Sequence, residues 1–309
     1  MLIDSVTFIV AALLLWFGAN WIVTSAALIA RRWGISELVI GLTIIAFGTS
    51  APEFLVTVDA ALRGHNDISL SNVVGSNIFN LGFILGLMAM IRPLAVSRTI
   101  VYRDGLLLFG TTIAILLVSF TGELGRPFGL ALLVLLAGYL LHLGRKRESP
   151  GEDELEELRG QHATWKHGAL LVAGFVAISA GGHLMVSAAT SIATDLGVSS
   201  WVIGVTIVAA GTSLPELVTS LAASVRGKNE MLLGNLIGSD FFNFAGVLGL
   251  TCALKPLHVS PEASSGLILL VGMVGLVLVM LRTGWRLTRL EGALLVAVNL
   301  ARWAHDFMA

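Results

Sequence analysis

Glu53 and Glu216 are the residues best placed to do chemistry in this chain. Each closes a run Gly-Thr-Ser-X-Pro-Glu, at Gly48 to Glu53 and again at Gly211 to Glu216, inside an apolar stretch long enough to cross a bilayer. A carboxylate at the centre of a membrane helix costs roughly 2.5–3.5 kcal/mol on insertion scales. No Lys or Arg lies in the apolar part of these stretches or of the ones that follow them, so the expected partner is a cation from solution. The next stretches carry Ser76 with Asn80 and Ser239 with Asn243, spaced by four so that each pair shares a helix face. Together these are two carboxylates, two amide oxygens and the hydroxyls of Thr49, Ser50, Ser76, Thr212, Ser213 and Ser239. An all-oxygen set suits hard cations: Ca²⁺ takes roughly 6–8 oxygens, while zinc and copper select His and Cys. Two carboxylates neutralise one divalent ion, and the neutral oxygens could instead seat several Na⁺.

The prolines say how the chain can present these groups. Pro52 and Pro215 precede the glutamates, lack an N–H and clash with the carbonyl four residues back, at Gly48 and Gly211, so each helix should break there. The break is expected to leave the backbone oxygens of Ala46–Thr49 and Ala209–Thr212 unpaired. At membrane depth such carbonyls are tolerated where they line a cavity or hold an ion.

The elements behind both motifs are copies of each other. Residues 41–94 align with 204–257 without a gap at an offset of 163, and 24 of the 54 positions are identical. Identity is densest around the polar residues, which packing alone would not favour. The likeness extends upstream, where Gly18, Val23 and Gly34 match Gly181, Val186 and Gly197. Each repeat is therefore read as five helices, the last two matching weakly and serving as scaffold.

Composition fixes the medium. Hydrophobic residues make up 56% of the 309, charged residues only 13%, and the mean hydropathy is +0.88, too apolar for a soluble domain. Ten apolar stretches, near 6–30, 37–61, 69–91, 104–121, 126–143, 168–194, 200–225, 231–254, 264–281 and 287–308, have helix length rather than the alternation of barrel strands. The fold class expected is all-α, a polytopic membrane protein of ten transmembrane helices. The first five-helix repeat takes residues 1–143, a cytoplasmic linker 144–167 with a helical turn or two at Glu152–Leu158, and the second repeat 168–309. With both termini outside, only Arg63, Arg126, Lys255 and Arg302 of the 19 Lys and Arg fall outside, as the positive-inside rule favours. Five is odd, so the repeats are inverted, a design in which each half supplies the gate for one side. The first apolar run, with Asp4 rather than a basic residue ahead of it, reads as a retained span. Cys252, the lone cysteine, reads as a small core residue.

GTSAPE with GSNIFN, and GTSLPE with GSDFFN, resemble the paired alpha-repeats of the cation/Ca²⁺ exchanger superfamily, in its Na⁺/Ca²⁺ exchanger branch. The resemblance covers nearly the whole chain. It implies alternating access by sliding of the first and sixth helices against the other eight, and exchange of about three Na⁺ for one Ca²⁺ at four central sites. It makes Glu53 and Glu216 bidentate Ca²⁺ ligands, completed by the carbonyls of Thr49 and Thr212. It gives Na⁺ the same glutamates, the carbonyls of Ala46 and Ala209, and the side chains of Ser50, Ser76, Ser213 and Ser239. Asn80 and Asn243 close the ring as neutral members, and asparagine at both places argues against the K⁺-dependent branch.

Asp240 departs from the repeat, standing where the first half has Asn77. It is expected either as a proton-titrating group just behind the ion ligands or as a structural hydrogen-bond partner. The proton-coupled branch, the nearest alternative, usually places Asn or His with Ala where this chain has Thr49–Ser50 and Thr212–Ser213. An enzyme would need a nucleophile beside a base; His183 is the one clear intramembrane histidine and, as the counterpart of Asn20, reads as a helix-contact residue. The function expected is a secondary antiporter, not an enzyme, with Ca²⁺ and Na⁺ as transported ions and no cofactor. Its setting is the lipid bilayer of a prokaryotic inner membrane. No nucleic acid is expected as a partner, and one chain suffices for transport.

Overall fold

The computed structural model describes residues 2–146, 163–197 and 209–308. Helix α1 is Leu2–Trp33. Helices α2 (Glu37–Thr49) and α3 (Ala51–Leu62) form one pair bent by 48°. They are followed by α4 (Asn66–Ile91), α5 (Ile100–Ser119), α6 (Arg126–Lys146) and α7 (Trp165–Asp195). Then come the short α8 (Ala209–Gly211), α9 (Leu214–Val225), α10 (Asn229–Leu254), α11 (Pro261–Arg282) and α12 (Arg289–Met308).

The sequence leads one to expect ten spans; among the described residues seven single helices are long and apolar enough to cross a membrane, and the bent pair makes an eighth. The other two differ for identifiable reasons. The stretch at 200–225 is seen only from Ala209 onward, because 198–208 lies outside the described residues. Helix α12 carries Arg289, Glu291, Arg302 and Asp306, more charge than an average apolar span. Residues 147–162 of the linker, with the turn expected at Glu152–Leu158, also lie outside the described residues.

Two antiparallel bridges join the ends of the spans. Strand β1 (Leu94–Ala95) pairs with β4 (Arg286–Leu287), and β2 (Glu123–Leu124) with β3 (Leu257–His258). Because α5 runs between residues 94 and 123, the bridges mark opposite faces of the bundle. Around β1 and β4 gather Arg92, Arg98, Arg282 and Arg289, with Arg92 packed against Gly227 and Lys228 paired to Glu37 at 2.6 Å. The opposite face holds Arg126 and Lys255, bonded to the carbonyls of Leu254 and Leu62.

The longest contact is between α1 and α7. They run antiparallel, Gly18 lying against Gly174 and Ile178 while Gly181 lies against Ala11 and Leu15. At the centre α2 crosses α10 with almost no side chain between them. A Cβ on Gly41 would stand 2.7 Å from the Met231 carbonyl, and one on Gly234 2.6 Å from that of Leu38. This crossing brings the first half's broken helix against the second half's Ser239 and Asn243. Cys252 is buried in the core, as expected of a small apolar residue.

Local π-helical turns are the feature that sequence periodicity does not indicate. They occur at Gly41–Ile45, Phe79–Ile84, Ile100–Gly105 and Asn243–Leu248. The second and fourth occupy nearly equivalent places in the two halves and contain Asn80 and Asn243. A π-turn shifts the helix face and interrupts the i to i−4 ladder, and such turns concentrate at functional sites.

Candidate ion site

Each glutamate sits in the first turn of a helix that begins at a break. Helix α2 ends at Thr49, Ser50 (φ −80, ψ 7) precedes α3, Pro52 fills the second position and Glu53 the third. The second half repeats this: α8 ends at Gly211, Ser213 (φ −90, ψ 8) precedes α9, and Pro215 and Glu216 follow. Proline is tolerated there because the first-turn N–H groups have no intrahelical acceptor. The positive end of the helix dipole favours an anion at that turn. The motif thus places a negative side chain at the one part of a membrane helix that stabilises it.

Both carboxylates are fully buried, and each is held from the opposite half. Ser213 Oγ donates to Glu53 Oε1 at 3.1 Å, and Ser50 Oγ donates to Glu216 Oε1 at 3.2 Å. Thr212 also faces Glu53, while Thr49 and Ser239, themselves 3.2 Å apart, face Glu216. Among the described residues no cationic side chain pairs with either glutamate, and neither Oε2 has a hydrogen-bond partner.

The asparagines form a second crossed pair. Asn80 Nδ2 donates to Asp240 Oδ1 at 2.9 Å, and Asn243 Nδ2 donates to Asn77 Oδ1 at 2.9 Å. Residues 77 and 240 are counterparts in the repeat, so each half's position 80 is fixed by the other half's position 77. Nδ2 is used, and Oδ1 of both Asn80 and Asn243 is left buried and unpartnered among the described residues. Asp240 therefore orients Asn80; its backbone oxygen also accepts from Asn77 Nδ2 at 3.2 Å. Ser76 accepts from Asn243 at 3.4 Å and donates to the Val73 carbonyl at 3.2 Å, so it joins the asparagine pair rather than a glutamate.

Two expectations need correction. The Ala46 carbonyl is not left unpaired: it accepts from the Ser50 N–H at 3.1 Å and from Thr49 Oγ1 at 3.3 Å, because the helix continues to Thr49 and bends only beyond it. In the second half, Ala209 opens α8 four residues before Ser213. His183, expected as a helix-contact residue, is exposed and faces α3 across a cavity rather than packing on it. It lines a cavity of about 340 Å³ with Leu55 and Val56 of α3 and Val186 of α7, a cavity that reaches Pro52, Thr212 and Pro215. The cavity between α3 and α7 thus reaches the prolines that precede both glutamates.

Three further polar residues support the site. Asn77 is described above. Asn72 Nδ2 donates to Thr57 Oγ1 at 2.9 Å and to the Glu53 carbonyl at 3.3 Å. Asn235, its counterpart, accepts from Thr49 Oγ1 at 3.2 Å and donates to Ser220 at 3.4 Å. The signal for the last two was in the sequence, since Asn72 and Asn235 are an identical pair at the same offset. Among the described residues no three His, Cys, Asp or Glu side chains gather as a metal-holding group. The donors here are two acids supplemented by neutral oxygens, a composition suited to Na⁺ and Ca²⁺ rather than to a tightly resident transition metal.

Comparison with known proteins agrees with this chemistry. The sequence matches the sodium/calcium exchanger protein family over residues 4–144 and 166–301. The inner membrane protein YrbG of Escherichia coli is 35% identical over 86% of this chain and 84% of its own. The sodium/calcium exchanger MaX1 of Methanosarcina acetivorans is 30% identical, over 92% of this chain and 93% of its own. A solved structure of the sodium-calcium exchanger NCX_Mj, soaked with Na⁺ and Ca²⁺, superposes with a TM-score of 0.86 at 30% identity, covering 98% of both chains. A fold shared over the whole length, carrying two buried acids in duplicated motifs, makes this chain an integral membrane cation/Ca²⁺ antiporter that belongs to the sodium/calcium exchanger family.

Proposed function

We propose that the protein exchanges Na⁺ for Ca²⁺ across the membrane by alternating access, with the two glutamates as the shared ligands of both ions. The observation that carries this reading is a set of four buried oxygens in two repeat-related pairs, Oε2 of Glu53 and Glu216 and Oδ1 of Asn80 and Asn243, none with a hydrogen-bond partner among the described residues. A buried acceptor without a donor costs roughly 1–3 kcal/mol, more if charged, so four together argue for a cation as their partner. Thr49, Ser50, Ser76, Thr212, Ser213 and Ser239 supply neutral oxygens around them, and the carbonyls of Ala46, Thr49, Ala209 and Thr212 flank the two breaks. Asp240 holds Asn80 through Oδ1, and its Oδ2, also buried and without a hydrogen-bond partner among the described residues, lies behind this set.

The architecture of this reading is ten helices in two inverted five-helix units, 1–143 and 168–309, joined by the linker 144–167. The arginine-rich face is cytoplasmic by the positive-inside rule, so both termini lie outside. The membrane is a prokaryotic inner membrane, the setting named for YrbG. One chain contains the whole site. Hydroxyls at Thr49, Ser50, Thr212 and Ser213 favour Na⁺ over H⁺ as the coupling ion, and two neutral asparagines favour independence from K⁺.

The test is Ca²⁺ uptake into Na⁺-loaded proteoliposomes diluted into Na⁺-free buffer. Uptake should require the outward Na⁺ gradient and persist without K⁺ and without a pH gradient. Uptake driven by a pH gradient alone would move the coupling to H⁺, and absence of Ca²⁺ flux under every gradient would overturn the substrate assignment.

A further inference from the structure

The repeat offset makes Arg226 the counterpart of Arg63, Asn20 of His183, and Thr24 of Ser187. The two sets are in opposite states. Arg226, just beyond the end of α9, reaches α1: its Nη2 donates to Asn20 Oδ1 at 2.7 Å and its Nη1 to Thr24 Oγ1. Arg63, just beyond the end of α3, turns back on its own helix instead of reaching α7. It pairs there with Asp59 at 2.8 Å, an acid whose counterpart in the second half is the apolar Ala222. Burial follows the same asymmetry. Asn20 and Thr24 are half-buried where α1 packs against α9, whereas His183 and Ser187 are exposed, His183 lining the cavity between α7 and α3.

We infer that these residues form a reciprocal latch that sets which face the site is open to. Arg226 with Asn20 and Thr24 holds α1 closed on the arginine-rich face in this conformation. In the opposite state α7 closes on α3, and Arg63 passes from Asp59 to His183 and Ser187. A guanidinium suits this task because its several donors can engage two side chains on one helix face at once, residues 20 and 24 being four apart. The inference rests on the alternating-access reading but not on which ions are carried.

The experiment uses the full chain in nanodiscs with Cys252→Ala and a reporter, Val56→Cys, in the cleft between α3 and α7. The rate of modification by a bulky hydrophilic thiol reagent reads how often that cleft is open. Arg226→Gln should slow modification by roughly three- to tenfold, the weight of a charged hydrogen-bond pair on a two-state equilibrium. Arg63→Gln should speed it, and the double variant should return toward the parent rate. Asn20→Ala, which removes one of the two acceptors and leaves the arginine, should slow modification in the same direction as Arg226→Gln and by no more, and should add nothing to it, a result that general unfolding would not give. If modification responds to Na⁺ or Ca²⁺ but none of the arginine variants changes it, or if both arginines change it in the same direction, the latch is wrong and the exchanger reading stands. If it responds to neither ions nor arginines, alternating access fails with it.

Discussion

Ser213 donates its hydroxyl to Glu53 across the meeting of the two halves, at 3.1 Å, and the same bond recurs with the halves exchanged, from Ser50 to Glu216 at 3.2 Å. Each half supplies a carboxylate at one helix start and the hydroxyl that steadies the other's.

The serines should therefore act on Na⁺ more than on Ca²⁺. A divalent ion draws most of its binding from the two carboxylates, whereas Na⁺ depends on the neutral oxygens beside them. Ser213→Ala or Ser50→Ala should raise the Na⁺ concentration for half-maximal exchange by roughly tenfold, the weight of one hydrogen bond to a charged group, and move the Ca²⁺ value by less. Equal changes for both ions would mean that the hydroxyls only position the glutamates.

Asp240 should matter as an acceptor and not as a charge. Asn at this place keeps an oxygen for Asn80 Nδ2, so Asp240→Asn should exchange within about threefold of the parent with the same pH profile. Asp240→Leu removes the acceptor, strands a buried amide donor at a cost of roughly 1–3 kcal/mol, and should lower ion affinity by about tenfold or more. A pH profile altered by Asp240→Asn would restore the proton-titrating role.

The crossing of α2 and α10 should tolerate no side chain. A Cβ at Gly234 meets the Leu38 carbonyl at 2.6 Å and the Leu42 nitrogen at 3.1 Å, both backbone atoms that cannot rotate away. Gly234→Ala should destabilise the protein by roughly 1–3 kcal/mol, seen as a lower thermal unfolding midpoint. Gly138, where an added Cβ would meet nothing within 4 Å, is the control, and Gly138→Ala should leave the midpoint nearly unchanged.

Much of this was legible in the sequence because the same local rule was written twice. Proline one residue before a glutamate located both helix starts, and the offset of 163 named Ser239 and Asn243 as the counterparts of Ser76 and Asn80 before any contact was known. Pairing across the halves was not legible. Nothing in a linear pattern says that Asn80 reaches Asp240 or that Ser213 reaches Glu53, since the first depends on how α4 meets α10 and the second on how the start of α9 meets α3. The π-turns at Phe79–Ile84 and Asn243–Leu248 were also hidden, because one extra residue in a turn leaves an apolar run looking like any other. The Ala46 carbonyl was misjudged for a local reason: proline disrupts the bond to Gly48, four residues back, and leaves the Ser50 N–H free to reach Ala46.

The most direct test is Ca²⁺ uptake into Na⁺-loaded proteoliposomes by the parent protein, Glu53→Gln and Glu216→Gln, each first shown to elute as the same folded species. Gln keeps the size and one oxygen but removes the charge that binds a divalent ion, so either single change should reduce Na⁺-driven uptake by about a hundredfold or more. Parent-level uptake in either variant would contradict a site shared between the two glutamates.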